Sequence, residues 1–111
     1  MFAETPEDLP HLFLERANAG DLDGLVDLYE ADAVVAFPNG QRAVGHAEIR
    51  RVYGELLRVQ PRFLAGVARP TLLVGDLALT SNVRPTATAA EVARRQPDGS
   101  WRWVVDDPAI A

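Results

Sequence analysis

Few side chains able to do covalent chemistry are present in this 111-residue chain. It has no cysteine, and every basic residue is Arg, so thiol nucleophiles and lysine Schiff bases are excluded. Ser81 and Ser100 lack the Gly-x-Ser-x-Gly setting of a strained nucleophile turn. His11 and His46 stand far from any second ligand at metal-binding spacing, and no Gly-rich phosphate loop occurs. Carboxylates remain. Glu91 stands in "ATAAEVARRQ", where Ala87, Ala89 and Ala93 share its face if the segment is a strand. Small side chains around one acid leave volume that a core would otherwise fill. An acid in apolar surroundings loses hydration and its pKa rises, which suits it to act as a general acid or hydrogen-bond donor. The competing role for Glu91 is a rim ion pair with Arg95 or Arg102. Asp106 is the second candidate, either as a pocket acid or, with Asp107, as part of a turn ahead of Pro108.

The elements that must hold these acids follow from pattern. Thr5-Pro6-Glu7-Asp8 reads as a helix start, with a capping hydroxyl, a proline at the first helical position and acids in the first turn. Leu9, Leu12, Phe13 and Ala17 continue at helical period until Gly20. Asp21 caps a second short helix with Leu22, Leu25, Val26 and Tyr29 inward. A strand, Val34–Phe37, leads to the two-residue hairpin signal Asn39-Gly40, and Gln41–Val44 returns. Gly45 opens a third helix whose apolar stripe is Ile49, Val52, Tyr53, Leu56 and Leu57. His46 reads as a residue of that helix start and His11 as surface.

After Pro61 the pattern becomes strand-like. Phe63, Ala65 and Val67 alternate, and turns at Gly75-Asp76, Arg84-Pro85-Thr86 and Pro97-Asp98-Gly99 separate "TLLVG", "LALTSNV", "ATAAEVARRQ" and "SWRWVVDDP". The alanines and glutamate of "ATAAEVARRQ" also favour helix. The turns on both sides, and the need of the last strand for a hairpin partner, favour strand. Helices followed by strands predict an α+β fold: three N-terminal helices packed on a strongly curved, mostly antiparallel sheet, in one domain over residues 1–111.

The totals narrow the partners. A net charge of -5 without a basic run argues against nucleic acid, whose phosphates demand positive charge. No apolar run has the length of a membrane span, and none reads as a signal peptide, so a soluble cytoplasmic protein is expected; the absence of cysteine fits.

With this order of elements, "LERANAGDLDGLVDLYEADAVVAFPNGQRAVGHAEIRRVY" resembles the NTF2-like superfamily, specifically its SnoaL-like branch, which includes ketosteroid isomerases and polyketide cyclases. The marks are the Gly20-Asp21 break, Tyr29-x-x-Asp32-Ala33 leading into the strand, Gly45 before the third helix, and "RRQPDGSWRWVVDDP". The resemblance implies a cone, in which a bent sheet wraps the long helix around an apolar pocket, and a homodimer joined through the sheets. It also places the isomerase's groups. The first-helix Tyr falls on Phe13, the catalytic Asp on Phe37 and the oxyanion Asp on Glu91. Ketosteroid isomerase uses an Asp base with a Tyr and a protonated Asp as oxyanion hole. Phe neither shuttles a proton nor donates a hydrogen bond, and losing the base alone removes a factor of ~10²–10⁴ in rate. The standard isomerase mechanism is therefore not expected.

What the resemblance implies instead is a pocket for a small apolar molecule lined by Phe13, Val35, Phe37, Tyr53, Ala89, Arg102 and Val104. Glu91 and Asp106 would be the acid–base groups, with no cofactor and no metal. The isomerase register turns Arg102, Val104 and Asp106 inward and Trp101, Trp103 and Val105 outward, where the Trp pair suits a dimer contact. A one-residue slip would reverse this and make the Trp pair a ligand wall. Three functions fit: an isomerase- or cyclase-type enzyme acting on a hydrophobic substrate, a non-catalytic binder of such a molecule, and a dimerisation module. Convergent polar groups would separate the first from the second. A cone filled by Phe13 and Phe37 would favour the third.

Overall fold

The computed structural model describes residues 2–37, 39–59 and 62–111. The first helix, α1 (Asp8–Asn18), begins later than the Thr5-Pro6 pattern suggests. The Asp8 carboxylate accepts from the backbone N–H groups of Glu4 and Thr5 at 3.0 and 3.1 Å, so this acid closes a turn ahead of the helix. α2 (Leu22–Val26) is capped by Asp21, whose Oδ1 accepts from Gly24 N at 2.9 Å. Tyr29 lies outside that helix: it opens β1 (Tyr29–Ala36), yet is fully buried. Phe37 follows β1 and its N–H donates to the Gln41 carbonyl across the hairpin.

β2 (Arg42–Val44) runs directly into α3 (Gly45–Val59). The joint needs Gly45, because its φ of +82° is left-handed, a conformation that other residues rarely adopt. The Pro61 boundary read from the sequence lies outside the described residues. Of the alternating Phe63, Ala65 and Val67, only Val67 enters a strand, β3 (Val67–Ala68). β4 (Leu72–Val74), β5 (Leu77–Val83), β6 (Thr88–Arg95) and β7 (Trp101–Asp107) complete the order. The segment with helical propensity is a strand because β5 and β7 pair with it along both edges.

The sheet runs β2-β1-β7-β6-β5-β3, with β4 also on β5. All pairings are antiparallel except β1 with β7, which brings the start of the fold against its end. Two register shifts bend the sheet. One lies between Tyr29 and Val34 along β1, the other between Val92 and Ala93 against β7. In the second, Val92 faces Val105 and Ala93 faces Trp103, so Val104 is the extra residue of a bulge. The helices cover the inner side of the curve, where Leu9, Leu12, Leu25, Ile49, Tyr53, Val35 and Trp103 form the core.

The bulge corrects the expected register of the last strand. Trp101 and Trp103 are 7% and 4% exposed and belong to the core, so they form no outer dimer contact. Arg102 points away from the core and pairs with Asp27 at 3.4 Å. After Val104 the phase reverses, and Asp106 is inside again while Val105 is exposed. Neither the expected register nor its one-residue slip holds along the whole strand. Among the described residues, no helix is long and apolar enough to cross a membrane.

Candidate functional site

On the inner side, a row of side chains crosses four strands. Thr80 on β5 faces Glu91 on β6, Glu91 faces Asp106 on β7, and Asp106 faces Val35 on β1. All four are buried, Glu91 at 6% and Asp106 at 5% exposure. Directly opposed residues on paired strands have Cβ atoms about 4.5–5.5 Å apart, so the two carboxyl groups stand side by side. The alternation of β6 sets Glu91 inward with buried Ala89 and Ala93, and the bulge at Val104 sets Asp106 inward beside it.

Each acid is held by one oxygen. Thr80 Oγ1 donates to Glu91 Oε1 at 2.7 Å. The Tyr29 hydroxyl donates to Asp106 Oδ2 at 2.6 Å. Because the single Tyr29 hydroxyl proton is used there, the 3.2 Å contact with Tyr53 has the Tyr53 hydroxyl donating to Tyr29. Tyr29 is itself fixed through its carbonyl, which accepts from His46 Nε2 at 2.7 Å. His46 thus supports the site from the first turn of α3.

Among the described residues, no group donates a hydrogen bond to the other carboxyl oxygens, Glu91 Oε2 and Asp106 Oδ1. Among the described residues, the fully buried side-chain polar atom without a partner is Trp103 Nε1.

Burial pushes the Asp106 carboxyl up to about 7, and the neighbouring Glu91 charge adds to this against the Tyr29 hydrogen bond. Burial raises Glu91 as well, opposed by the Thr80 hydrogen bond and the charge of Arg84. Burial also raises both tyrosines, which stay neutral. Two carboxyls this close titrate as a pair, with the first proton easily lost and the second retained. With Tyr29 donating to Oδ2, a protonated Asp106 carries its hydrogen on the free oxygen, Oδ1. One acid with an outward proton beside one carboxylate with an outward lone pair can donate to and accept from the same molecule.

An apolar rim adjoins this pair. Phe13, Phe37 and Phe63 are half-buried; the rings of Phe13 and Phe37 lie 5.6 and 5.8 Å from that of Tyr53, and Phe63 lies 5.6 Å from Phe13. Val35 and Ala89 are buried on the sheet side. The structure thus gathers Glu91, Asp106, Val35 and Ala89 on the inner sheet face and Phe13, Phe37 and Tyr53 in the adjoining ring cluster. It does not bring Arg102 there, and Val104 is occupied as the half-buried bulge residue.

Sequence reasoning missed Thr80 and the role of Tyr29. Thr80 shares the phase of buried Ala78 in "LALTSNV", a pattern that marks a polar group turned inward. Tyr29 gave no such signal, because it looked like the last turn of a helix. Two surface hollows lie elsewhere. One, of about 200 Å³, is lined by Leu72, Leu73, Val74, Leu77, Leu79 and Val92. The other, of about 420 Å³, lies between Glu4–Glu7, Thr71, Leu73 and Trp101. Among the described residues no group of three or more His, Cys, Asp or Glu could hold a metal ion.

A family model for the SnoaL-like domain matches residues 11–111. No curated protein sequence matches the chain. Solved structures share its architecture. A candidate calcium/calmodulin-dependent protein kinase type II association domain from Thiobacillus denitrificans aligns with TM-score 0.79 and 18% identity, over 97% of this chain and 98% of its own. A ketosteroid isomerase-like protein from Erwinia carotovora atroseptica gives 0.76 and 21%, over 91% and 89%. A candidate dehydratase of the NTF2-like family from Streptomyces avermitilis gives 0.73 and 23%, over 95% and 94%. At these identities the likeness establishes the fold alone.

Proposed function

Since the chain belongs to the SnoaL-like domain family, we propose that it binds a small, largely apolar molecule against its aromatic rim and moves a proton on it with Glu91 and Asp106. The reaction would be of isomerase or cyclase type and would use no cofactor. The observation that carries this reading is the side-by-side pairing of the two acids, each tied by one oxygen.

The division of labour follows from the environments. Glu91 Oε2 takes a proton from the carbon beside a carbonyl group. Asp106 Oδ1–H gives its proton to the carbonyl oxygen as charge develops there. Returning the first proton to a different carbon, and the second to Asp106, completes an isomerisation with no net proton change. By the family resemblance Phe37 falls where the ketosteroid isomerase base stands, so in this reading the base stands on β6 instead.

Exchange of the α-protons of 1-tetralone, a bicyclic aryl ketone, in deuterium oxide tests this. The protein should accelerate the exchange, and Glu91→Gln or Asp106→Asn should slow it by about 10²-fold or more. Equal exchange in all three proteins would remove the catalytic role and leave a binder.

A second reading concerns the outer face of the sheet. Leu72 and Val74 are 65% and 74% exposed, and Leu77, Leu79 and Val105 are exposed beside them. A patch with so much apolar area on one sheet face suits a self-complementary contact with a second copy. Sedimentation at micromolar concentration should show a dimer, and a monomer alone would sink this reading.

A further inference from the structure

We propose that the molecule bound at this site carries a carboxylate, captured by Arg84 at the mouth of the cone. The inference rests on the reading of Glu91 and Asp106 given above and names the class of ligand, an apolar body with a carboxylate at one end.

Arg84 follows β5, and its N–H donates to the Ala87 carbonyl at 2.9 Å to close the turn into β6. Its aliphatic stem lies against Gly66, where an added Cβ would come within 2.9 Å of Arg84 Cγ. Its guanidinium donates through Nη2 to the Pro108 carbonyl. The side chain therefore bridges the segment that follows Phe63 and the tail that follows β7. Val35 faces Asp106 in the parallel pair, so Pro108 and Phe37 leave the sheet at the same end, and Arg84 stands there. Its positive charge acts on three groups of the site, lowering Glu91, Asp106 and Tyr53 alike.

Among the described residues Arg84 makes no ion pair, with either acid of the site or with any other, so no carboxylate contact occupies its guanidinium. A half-buried guanidinium with one neutral partner still offers donors in a planar fork, which matches a carboxylate. The aromatic rim supplies the surface for the rest of such a molecule.

The test uses 2-naphthoate and 2-naphthamide, which share shape and differ in charge, titrated calorimetrically at about pH 6, where naphthoate is ionised and Asp106 is mostly protonated. Naphthoate should bind at least about tenfold more tightly than the amide. Arg84→Gln should bring naphthoate to the level of the amide and leave the amide unchanged, while Arg84→Lys should keep part of the preference. Equal binding of the two probes to the unaltered protein would overturn the capture by Arg84. If the amide binding then weakened in Asp106→Asn, the reading of the carboxyl pair would stand alone. Failure of both probes to bind at millimolar concentration would end both. Should Arg84→Gln not fold, Arg84→Lys decides: an undiminished preference in that variant would overturn the forked contact.

Discussion

Trp103 and Asp106 are three positions apart on one strand and yet face the same side of the sheet. In a regular strand that odd spacing sends two side chains to opposite faces. The extra residue Val104 absorbs the difference. The same bulge that keeps both tryptophans in the core thus turns a carboxyl into it, next to Glu91. The acid is consequently placed by a backbone irregularity and held there by Tyr29.

Asp106 should make stability depend on pH in a stated direction. Its folded-state pKa of about 7 lies above the unfolded value near 4, so the native protein binds the extra proton. Its stabilising contribution is fully present below about pH 4 and is lost as pH rises through about 7. Urea denaturation of the unaltered protein and of Asp106→Asn across this range should show their difference changing by up to about 4 kcal/mol, less where Glu91 shares the proton. Parallel curves would mean that folding leaves the Asp106 pKa unchanged.

Proton transfer to 1-tetralone should follow the same group. It needs Asp106 protonated and Glu91 ionised, so the exchange rate should fall as pH rises through about 7. It should fall again on the acid side as Glu91 takes up a proton. A flat profile between about pH 5 and 9 would separate the reaction from this pair.

Tyr29→Phe keeps the ring and removes the hydroxyl that Asp106 and Tyr53 both use. Asp106 should titrate at higher pH, seen in its carboxyl carbon signal by NMR. Stability should drop by about 1–3 kcal/mol, because a buried acceptor and a buried donor lose their partners. An unmoved titration would place the hydroxyl away from Asp106 in solution.

The two faces of the sheet should respond in opposite ways. Trp103→Ala should cost about 3–5 kcal/mol in denaturation, as an emptied core position does. Leu79→Arg, on the exposed outer face, should change stability by about 0.5 kcal/mol or less in a monomer and should dissociate the proposed dimer in sedimentation. The reverse pattern would restore the outward placement of the tryptophans.

Much of this architecture was legible in the sequence because its marks are local. Asp21 caps a helix, Asn39-Gly40 marks a hairpin (closed by Phe37 and Gln41 rather than by the two-residue turn expected), Gly45 permits a left-handed joint, and alternation along β6 puts Glu91 inside. The inner face of β7 was not legible. A bulge is a relation between two strands, fixed by how Val92 and Ala93 meet Trp103 and Val105, and a single strand does not encode it. The start of α1 was misread for a related reason. The Asp8 carboxylate, rather than the Thr5 hydroxyl, accepts from the turn N–H groups. Glu91 and Asp106 each stood out by type and neighbours, whereas their pairing with Tyr29 and Thr80 needed the assembled sheet.

The parallel pairing of β1 with β7 has a kinetic consequence. The hydrogen bond from Tyr29 to Asp106 spans 77 residues, and the strands carrying it lie at opposite ends of the element order. Closing so long a loop carries its entropy cost before any of the contact's stabilisation is returned. Hairpins such as β5 with β6 can zip early, while the carboxyl site waits for the last strand to arrive. On the ribosome, a chain stalled before Trp101 would hold Glu91 and Tyr29 with nothing between them, and the site would come into being only as the final strand docks.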